Sequence, residues 1–212
     1  MTIFITVKGT SVRCPDKNKI LLPFTLKKIT DNVIVITDSL EIVEICKEFN
    51  VKYFIEDKQT QKCELKSIYD FIVNTNQIDS IEEFVHLQVT HPLCNIETIM
   101  EVINYKMENY DMITTFTYVP NRKIFLLNDD DTYMYDSYER KGSLCKPTKM
   151  IDGSVYKIKT TFLKKVIDSD NVNHTFWNKS KKKFIQNKTN IFLDVDESYE
   201  LDLFQKYFNK EQ

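Results

Sequence analysis

Ile3-Phe4-Ile5-Thr6-Val7-Lys8-Gly9-Thr10-Ser11-Val12-Arg13-Cys14-Pro15-Asp16-Lys17-Asn18 sets the fold expected of the rest of the chain. Its first five residues are an apolar, β-branched run of the kind that makes a buried strand. The run opens into a loop with three cations (Lys8, Arg13 and Lys17), a glycine, the hydroxyls of Thr10 and Ser11, and a proline. Gly9 lets the backbone bend or approach a ligand closely. Free N–H groups beside the cations suit an anion. The chain has three glycines in all, so one placed here points to a backbone requirement. Two readings fit the stretch: a phosphate-binding loop at the end of the first strand, and an ordinary surface loop that carries basic residues.

Outward from this loop, apolar periodicity alternates between strand and helix. Ile20–Leu26 reads as an apolar turn entering a short helix, with Pro23 suited to its first turn. Val33–Thr37 is the second strand. Asp38 or Ser39 then caps a helix with Ile42, Val43, Cys46 and Phe49 on one face, and Glu41 is placed to complete a capping box. Val51–Ile55 is the third strand, and Leu65, Ile68, Tyr69 and Ile72 mark a helix. Phe84–Gln88 is the fourth strand, and Asn95 caps a helix striped by Ile96, Ile99, Met100, Ile103 and Met107. Met112–Val119 is the fifth. Such alternation implies βαβ units and a mainly parallel sheet, whose ligands sit beyond the carboxyl ends of the strands. That rule puts the Lys8–Asn18 loop, Asp38 and Gln88–Leu93 on one rim.

The alternation breaks at Pro120, and 120–150 reads as a small β insertion. Ser154–Ile158 is a further strand, Thr160–Ile167 a helix and Lys179–Lys183 a solvated loop. Asn190–Asp196 is read as the last strand, followed by a helix with Leu201, Leu203, Phe204 and Phe208. The chain is expected to form a single domain over residues 1–212.

Composition narrows the function. With 212 residues, 42% hydrophobic and 28% charged, the chain has the make-up of a globular protein. A net charge of −2 lacks the basic excess of a broad nucleic-acid or membrane footprint. No apolar run approaches the ~20 residues of a membrane span, and no secretory signal is read at the amino terminus. Five cysteines, odd in number and never spaced as CxxC, are the pattern of free thiols in a reducing, cytoplasmic compartment. The three histidines form no zinc-binding pair.

Asp194 and Asp196 alternate, so on an ideal strand both carboxylates face one way, about 7 Å apart at Cα. Two oxygen ligands beside a phosphate loop suit a magnesium ion that keeps most of its water. Together with Glu197, Glu200 and Asp202 they equally suit a helix start, where the macrodipole favours anions.

The order of these pieces resembles the cytidylyltransferase family of the CMP-N-acylneuraminate synthetases and their 3-deoxy-manno-octulosonate relatives. The R-x-x-S-K-x-x-P-x-K-N loop of that family is similar to Lys8–Asn18. V-x-T-D followed by E-I-A resembles Val35–Asp38 and Glu41–Val43. L-Q-P-T-S-P-L-R resembles Leu87–Cys94, N-G-x-x-Y resembles Asp152–Tyr156, and I-D-I-D with E-x-D-L resembles Leu193–Asp196 and Glu200–Leu203. The motifs lie in order along nearly the whole chain.

The resemblance implies a Rossmann-like α/β nucleotide-diphospho-sugar transferase (GT-A-like) fold, its mainly parallel sheet flanked by helices. It implies an enzyme that transfers CMP from CTP to an acidic, sialic-acid-like sugar and releases pyrophosphate with Mg2+. Lys8, Gly9, Thr10, Ser11, Arg13, Lys17 and Asn18 would bind CTP; Gln88, Thr90 and Tyr156 would meet the sugar. Asp194 and Asp196 would hold the metal, and Lys8, Lys17 and Asp196 would be catalytic. A homodimer built through the 120–150 insertion is implied as well. The chain departs from the motifs at Lys8 (family Arg), Val12 (Lys), Cys94 (Arg) and Asp152 (Asn), and Glu56–Lys62 does not match the family's R-P-x-x-L-A-x-D. A non-catalytic member that binds a nucleotide or a partner is the alternative.

Overall fold

A computed structural model describes residues 1–57, 63–119, 148–189 and 193–208. Within them a seven-stranded sheet runs in the order β3-β2-β1-β4-β6-β5-β7. The strands are β1 (Thr2–Val7), β2 (Val33–Thr37), β3 (Lys52–Ile55), β4 (Glu83–Leu87), β5 (Met112–Val119), β6 (Thr148–Lys159) and β7 (Lys182–Gln186). All pairings are parallel except the two made by β6, which runs antiparallel between β4 and β5.

Side-chain alternation along the strands divides the core in two. Ile3, Ile5 and Val7 of β1 join Val33, Val35, Val85 and Leu87 on one face of the sheet. That face is covered by α1 (Lys17–Leu26), α2 (Leu40–Glu48), α4 (Ile96–Asn104) and α7 (Ser198–Phe208). Phe4, Ile36, Phe84, Met112 and Ile158 take the other face, under α3 (Glu64–Asn74), α5 (Thr160–Ile167) and α6 (Val172–Asn178). Strands covered on both sides must be apolar throughout, which is why β1 and β2 read as unbroken apolar runs. Phe4 is fully buried, edge-on to Phe71 and to Phe84, each 5.4 Å away between centroids.

Strand and helix positions follow the sequence closely from β1 to α5, with exceptions that have physical reasons. Helix α1 begins at Lys17 and carries Pro23 in its interior, not in its first turn. The ring removes one N–H, and the helix is retained because Leu21, Leu22 and Leu26 are buried. The capping box on α2 does not form: Ser39 is the N-cap without a side-chain bond, Asp38 turns to Gly9, and Glu41 pairs with Lys19. In α4 Asn95 caps as expected, accepting from the Thr98 N–H at 2.9 Å, but Ile96 and Met100 of its stripe are exposed.

The largest difference comes late in the chain. Lys182 and Lys183, expected in a solvated loop, begin β7, which among the described residues pairs with β5 alone. Lysines are tolerated on such an edge because one side of the strand meets no partner strand. The stretch read as the last strand is irregular over Leu193–Asp196, and 190–192 lie outside the described residues. Val195 is nonetheless fully buried, and its N–H donates to the Thr90 carbonyl at 2.8 Å. Helix α6, absent from the sequence reading, is capped by Asn171, which accepts from the His174 N–H. The insertion expected at 120–150 lies outside the described residues up to 147. Among the described residues no helix is long and apolar enough to cross a membrane.

Candidate functional site

The Lys8–Asp16 loop leaves the carboxyl end of β1 and is pinned at several points. Gly9 N–H donates to Asp38 Oδ1 at 2.7 Å, tying the loop to the end of β2. A Cβ on Gly9 would lie 2.4 Å from Ser39 Cβ, so glycine is required by close approach to the neighbouring turn. Asn18 Nδ2 closes the loop on the Lys8 carbonyl at 2.8 Å. Ser11 Oγ accepts from the Cys14 N–H, and Cys14 anchors the loop in the core at 1% exposure. Asp16 turns the chain into α1 with a positive φ of 63°, a conformation that Asp tolerates better than most residues. The positive end of the α1 dipole therefore lies just after the loop. Lys8 and Thr10 are exposed.

The Asp194–Glu197 segment meets this loop because α7 is fastened to α1. Phe24 packs against Phe204 and Phe208 at 4.8 and 4.7 Å between centroids. Glu200 Oε2 accepts from the N–H groups of Asp196 and Glu197, both at 2.8 Å. So held, Asp196 receives two of the loop's cations. Lys17 Nζ, buried at 6% exposure, donates to Asp196 Oδ1 and to the Val195 carbonyl, each at 2.8 Å. Arg13 reaches Asp196 Oδ2 at 3.1 Å and Glu197 Oε1 at 3.2 Å. Burial pushes the Asp196 carboxyl up, but Lys17 and Arg13 outweigh it and hold the group below its ordinary range. The same carboxylate raises the Arg13 guanidinium. Asp194 points elsewhere, with Oδ1 3.7 Å from Nδ1 of the buried His91.

At the carboxyl end of β4 the Gln88 N–H donates to the Ser154 carbonyl of β6 at 3.1 Å, while Gln88 Nε2 donates to Glu64 Oε2 at 2.6 Å. Beneath them His86 is buried, its Nε2 3.0 Å from Thr6 Oγ1. Burial lowers its pKa, Glu64 opposing, so the ring is neutral at pH 7. Tyr156 stacks over His86 with centroids 6.2 Å apart. Burial first, then the charges of Glu64, Asp152 and Asp194, push its phenol up. The Asp152-Gly153-x-x-Tyr156 spacing has a steric reason. Gly153 has φ +66°, and a Cβ there would lie 2.7 Å from the Tyr156 hydroxyl. Thr90 Oγ1 is 3.1 Å from His91 Nδ1. Cys94, in the position of the motif's arginine, is buried and its thiol pushed up to about 12 by burial.

The described geometry thus brings Arg13 and Lys17 together with Asp196, ties Gly9 to Asp38 and Asn18 to Lys8 within the first loop, and joins Gln88 to Ser154 and Thr90 to Val195. Asp38, Glu64, Glu200 and His86 take part without having been assigned to the site. Asp38, at the end of β2, and Glu200, in the Glu200–Leu203 motif, carried a sequence signal; Glu64 and His86 did not.

Asp196 offers a hard oxygen donor of the kind Mg2+ takes, one or two carboxylates completed by water and phosphate oxygens. Leu193–Asp196 is not a strand and Asp194 faces His91, so the shared face that the alternation suggested for the two carboxylates is not formed. No group of three or more His, Cys, Asp or Glu side chains placed to hold a metal occurs among the described residues, and this mode of binding does not require one. Charge also fits: Asp38, Asp194, Asp196 and Glu197 together outnumber Lys8, Arg13 and Lys17. A triphosphate brought here without a cation would meet a surplus of negative charge.

No protein-family model matches the chain, and no curated protein matches its sequence. Solved structures do. The fold is that of the nucleotide-diphospho-sugar transferases. A CMP:2-keto-3-deoxy-manno-octonic acid synthetase complexed with CTP superposes with a TM-score of 0.68 over 100% of this chain and 99% of its own, at 12% identity. A cytidylyltransferase from Leptospira borgpetersenii serovar Hardjo-bovis gives 0.59 over 99% of this chain and 94% of its own, at 15% identity. The 4-diphosphocytidyl-2C-methyl-D-erythritol synthase of Anaerococcus prevotii gives 0.56 over 98% of both chains, at 12% identity. At these identities the likeness is one of fold.

Proposed function

We propose that the chain is a nucleotidyltransferase that moves CMP from CTP to an acidic, sialic-acid-like sugar and releases pyrophosphate. The observation that carries this reading is the meeting of Lys17 and Arg13 with Asp196 at the mouth of the first loop. Cations for a triphosphate and a carboxylate for its metal lie within one hydrogen bond of each other there. The fold shared with CTP-dependent enzymes supports it.

In the reaction an acceptor hydroxyl oxygen bonds the α-phosphorus as the bond to the α,β-bridging oxygen breaks. The protein's part is alignment and charge neutralisation. Lys8 and Arg13 meet the outer phosphates from solvent, Lys17 holds Asp196 in place from below, and the Gly9–Ser11 backbone lies where the base enters. Gln88, Thr90 and Tyr156 hold the acceptor. Asp196 would hold Mg2+, which when bound offsets charge on the triphosphate and the leaving pyrophosphate.

The test is pyrophosphate release with CTP, Mg2+ and a panel of acidic sugars, with ATP, GTP and UTP in parallel. CTP-specific release with one sugar is expected; no release and no CTP binding would overturn the reading. We propose a homodimer for the same enzyme, and a mass near 25 kDa by light scattering at micromolar concentration would exclude it.

A further inference from the structure

We infer that Glu64 is a positioning residue that fixes which way the Gln88 carboxamide faces, so that Gln88 reads the acceptor through its carbonyl oxygen. The inference rests on the nucleotidyltransferase reading for the word acceptor, but not for the geometry. Glu64 is the first residue of α3, at the end of the helix where negative charge is favoured. An ionised carboxylate only accepts hydrogen bonds. The Gln88 group 2.6 Å from Glu64 Oε2 is therefore the NH2, and the orientation of the amide follows from chemistry. Gln88 Oε1 is left turned away from Glu64 and accepts no hydrogen bond from a described residue.

Neighbouring contacts fix the backbone and the layer beneath the pair, which itself meets solvent. The Gln88 backbone is fixed by its N–H bond to Ser154 on β6. His86 Nε2 lies 4.0 Å from the same Glu64 oxygen and is itself held by Thr6. Tyr156 closes the layer by stacking on His86. Asp152, 4% exposed, adds a second oriented acceptor beside this layer. Its Oδ1 takes the Ser154 N–H at 3.0 Å, the Ser154 hydroxyl at 2.8 Å and the Thr115 hydroxyl, and its Oδ2 is buried without a partner among the described residues. The outward-facing Gln88 carbonyl oxygen calls for a ligand hydroxyl or N–H. Gln88 accordingly selects an acceptor with such a donor at the position it faces, and an analogue with that hydroxyl removed is rejected because the fixed carbonyl loses its partner.

The experiment is a swap. In Glu64→Gln the partner of Gln88 both donates and accepts, so the amide no longer has a single orientation. KM for the acceptor should rise about tenfold, the order of one hydrogen bond to a charged group, with KM for CTP unchanged. The double variant Glu64→Gln, Gln88→Glu restores a single polarity: the new amide donates to the new carboxylate, which still presents an acceptor oxygen outward. It should recover most of the lost acceptor KM and the discrimination against the deoxy analogue. An unchanged acceptor KM in Glu64→Gln, or a double variant no better than the single, would overturn the role of Glu64. If the wild type turns over no acceptor at all, the activity reading fails, and side-chain NMR decides the geometry alone. A Gln88 amide resonance that moves in Glu64→Gln upholds the contact, and one that stays put refutes it.

Discussion

Replacing Gly9 by alanine tests the loop more sharply than removing a charge, because it leaves every putting-together of charges intact and moves only the backbone. The added Cβ would lie 2.4 Å from Ser39 Cβ and 2.8 Å from Ser39 Oγ. Carbon atoms rest at about 3.5–4.0 Å, so the two chains must part by roughly 1 Å. Both clashing carbons are β-carbons, and no rotamer relieves them. Ser39 is the N-cap of α2, two residues past the end of β2, so the loop gives way. Its movement stretches the Gly9 N–H bond to Asp38, now 2.7 Å. A displacement of this size at a site that aligns reacting groups costs on the order of 100-fold. The ratio kcat/KM should fall by that order, and titration calorimetry should show weaker CTP binding alongside it. Overpacking itself costs about 1–3 kcal/mol, a drop of roughly 2–4 °C in Tm per kcal/mol for a chain of this length. Ser39→Gly removes the opposing carbon, and the Ser39 side chain makes no capping bond to lose. Gly9→Ala, Ser39→Gly should therefore regain CTP affinity. Wild-type affinity in Gly9→Ala, or a double variant as weak as the single, would refute the reasoning.

Asp38→Ala removes the acceptor of the Gly9 N–H while adding no clash; CTP affinity should fall by about tenfold, the order of one charged hydrogen bond, and isothermal titration reads it. Asp196→Asn should abolish Mg2+-dependent pyrophosphate release. The change also leaves the buried Lys17 ammonium without its charged partner, so stability falls as well; full turnover in this variant would remove the role assigned to Asp196. His86 gives a pH prediction. Burial holds its pKa below the ordinary 6.5, so below pH 6.5 the unfolded chain binds a proton that the folded chain does not. Stability should then decline as pH falls through that window, with a slope of up to ~1.4 kcal/mol per pH unit. Urea midpoints from pH 7 to 5 should fall more steeply for the wild type than for His86→Gln, and parallel curves would refute the assignment.

Legibility in the sequence followed the strength of the burial signal. β1 and β2 are covered on both faces, so their apolar runs left little ambiguity. β7 has one neighbour and one well-buried side chain, Ile185, so two lysines outweighed the pattern. Leu193–Asp196 alternates like a strand, yet it docks through Val195 and one backbone bond to Thr90. Alternation reports which side chains are buried and leaves the backbone partner open. Strand order was hidden for a related reason: nothing within β6 records that it enters antiparallel between β4 and β5. In the site, residue types that carry charge in an ordered motif were readable. Glu64 was not, because a glutamate at the start of a helix is ordinary until the fold sets Gln88 2.6 Å away.

The ion pairs at the first loop bear on how a triphosphate would enter. Lys17 is buried, and without Asp196 its ammonium would keep only the Val195 carbonyl; an unpaired buried charge is costly. Lys17 therefore stays with Asp196 when a ligand arrives, and its effect on the phosphates is exerted from behind that carboxylate. Arg13 is exposed, shared between Asp196 and Glu197, and exposed pairs are weak. It can leave at little cost and take a phosphate bidentately, which uncovers Asp196 Oδ2 as it goes. On the proposed reading, the movement of one arginine supplies a cation to the triphosphate and a carboxylate oxygen to its metal. Arg13→Lys keeps the charge but loses the fork. It should weaken CTP binding in Mg2+ more than Lys8→Arg does, and the reverse order in titration calorimetry would count against this division of labour.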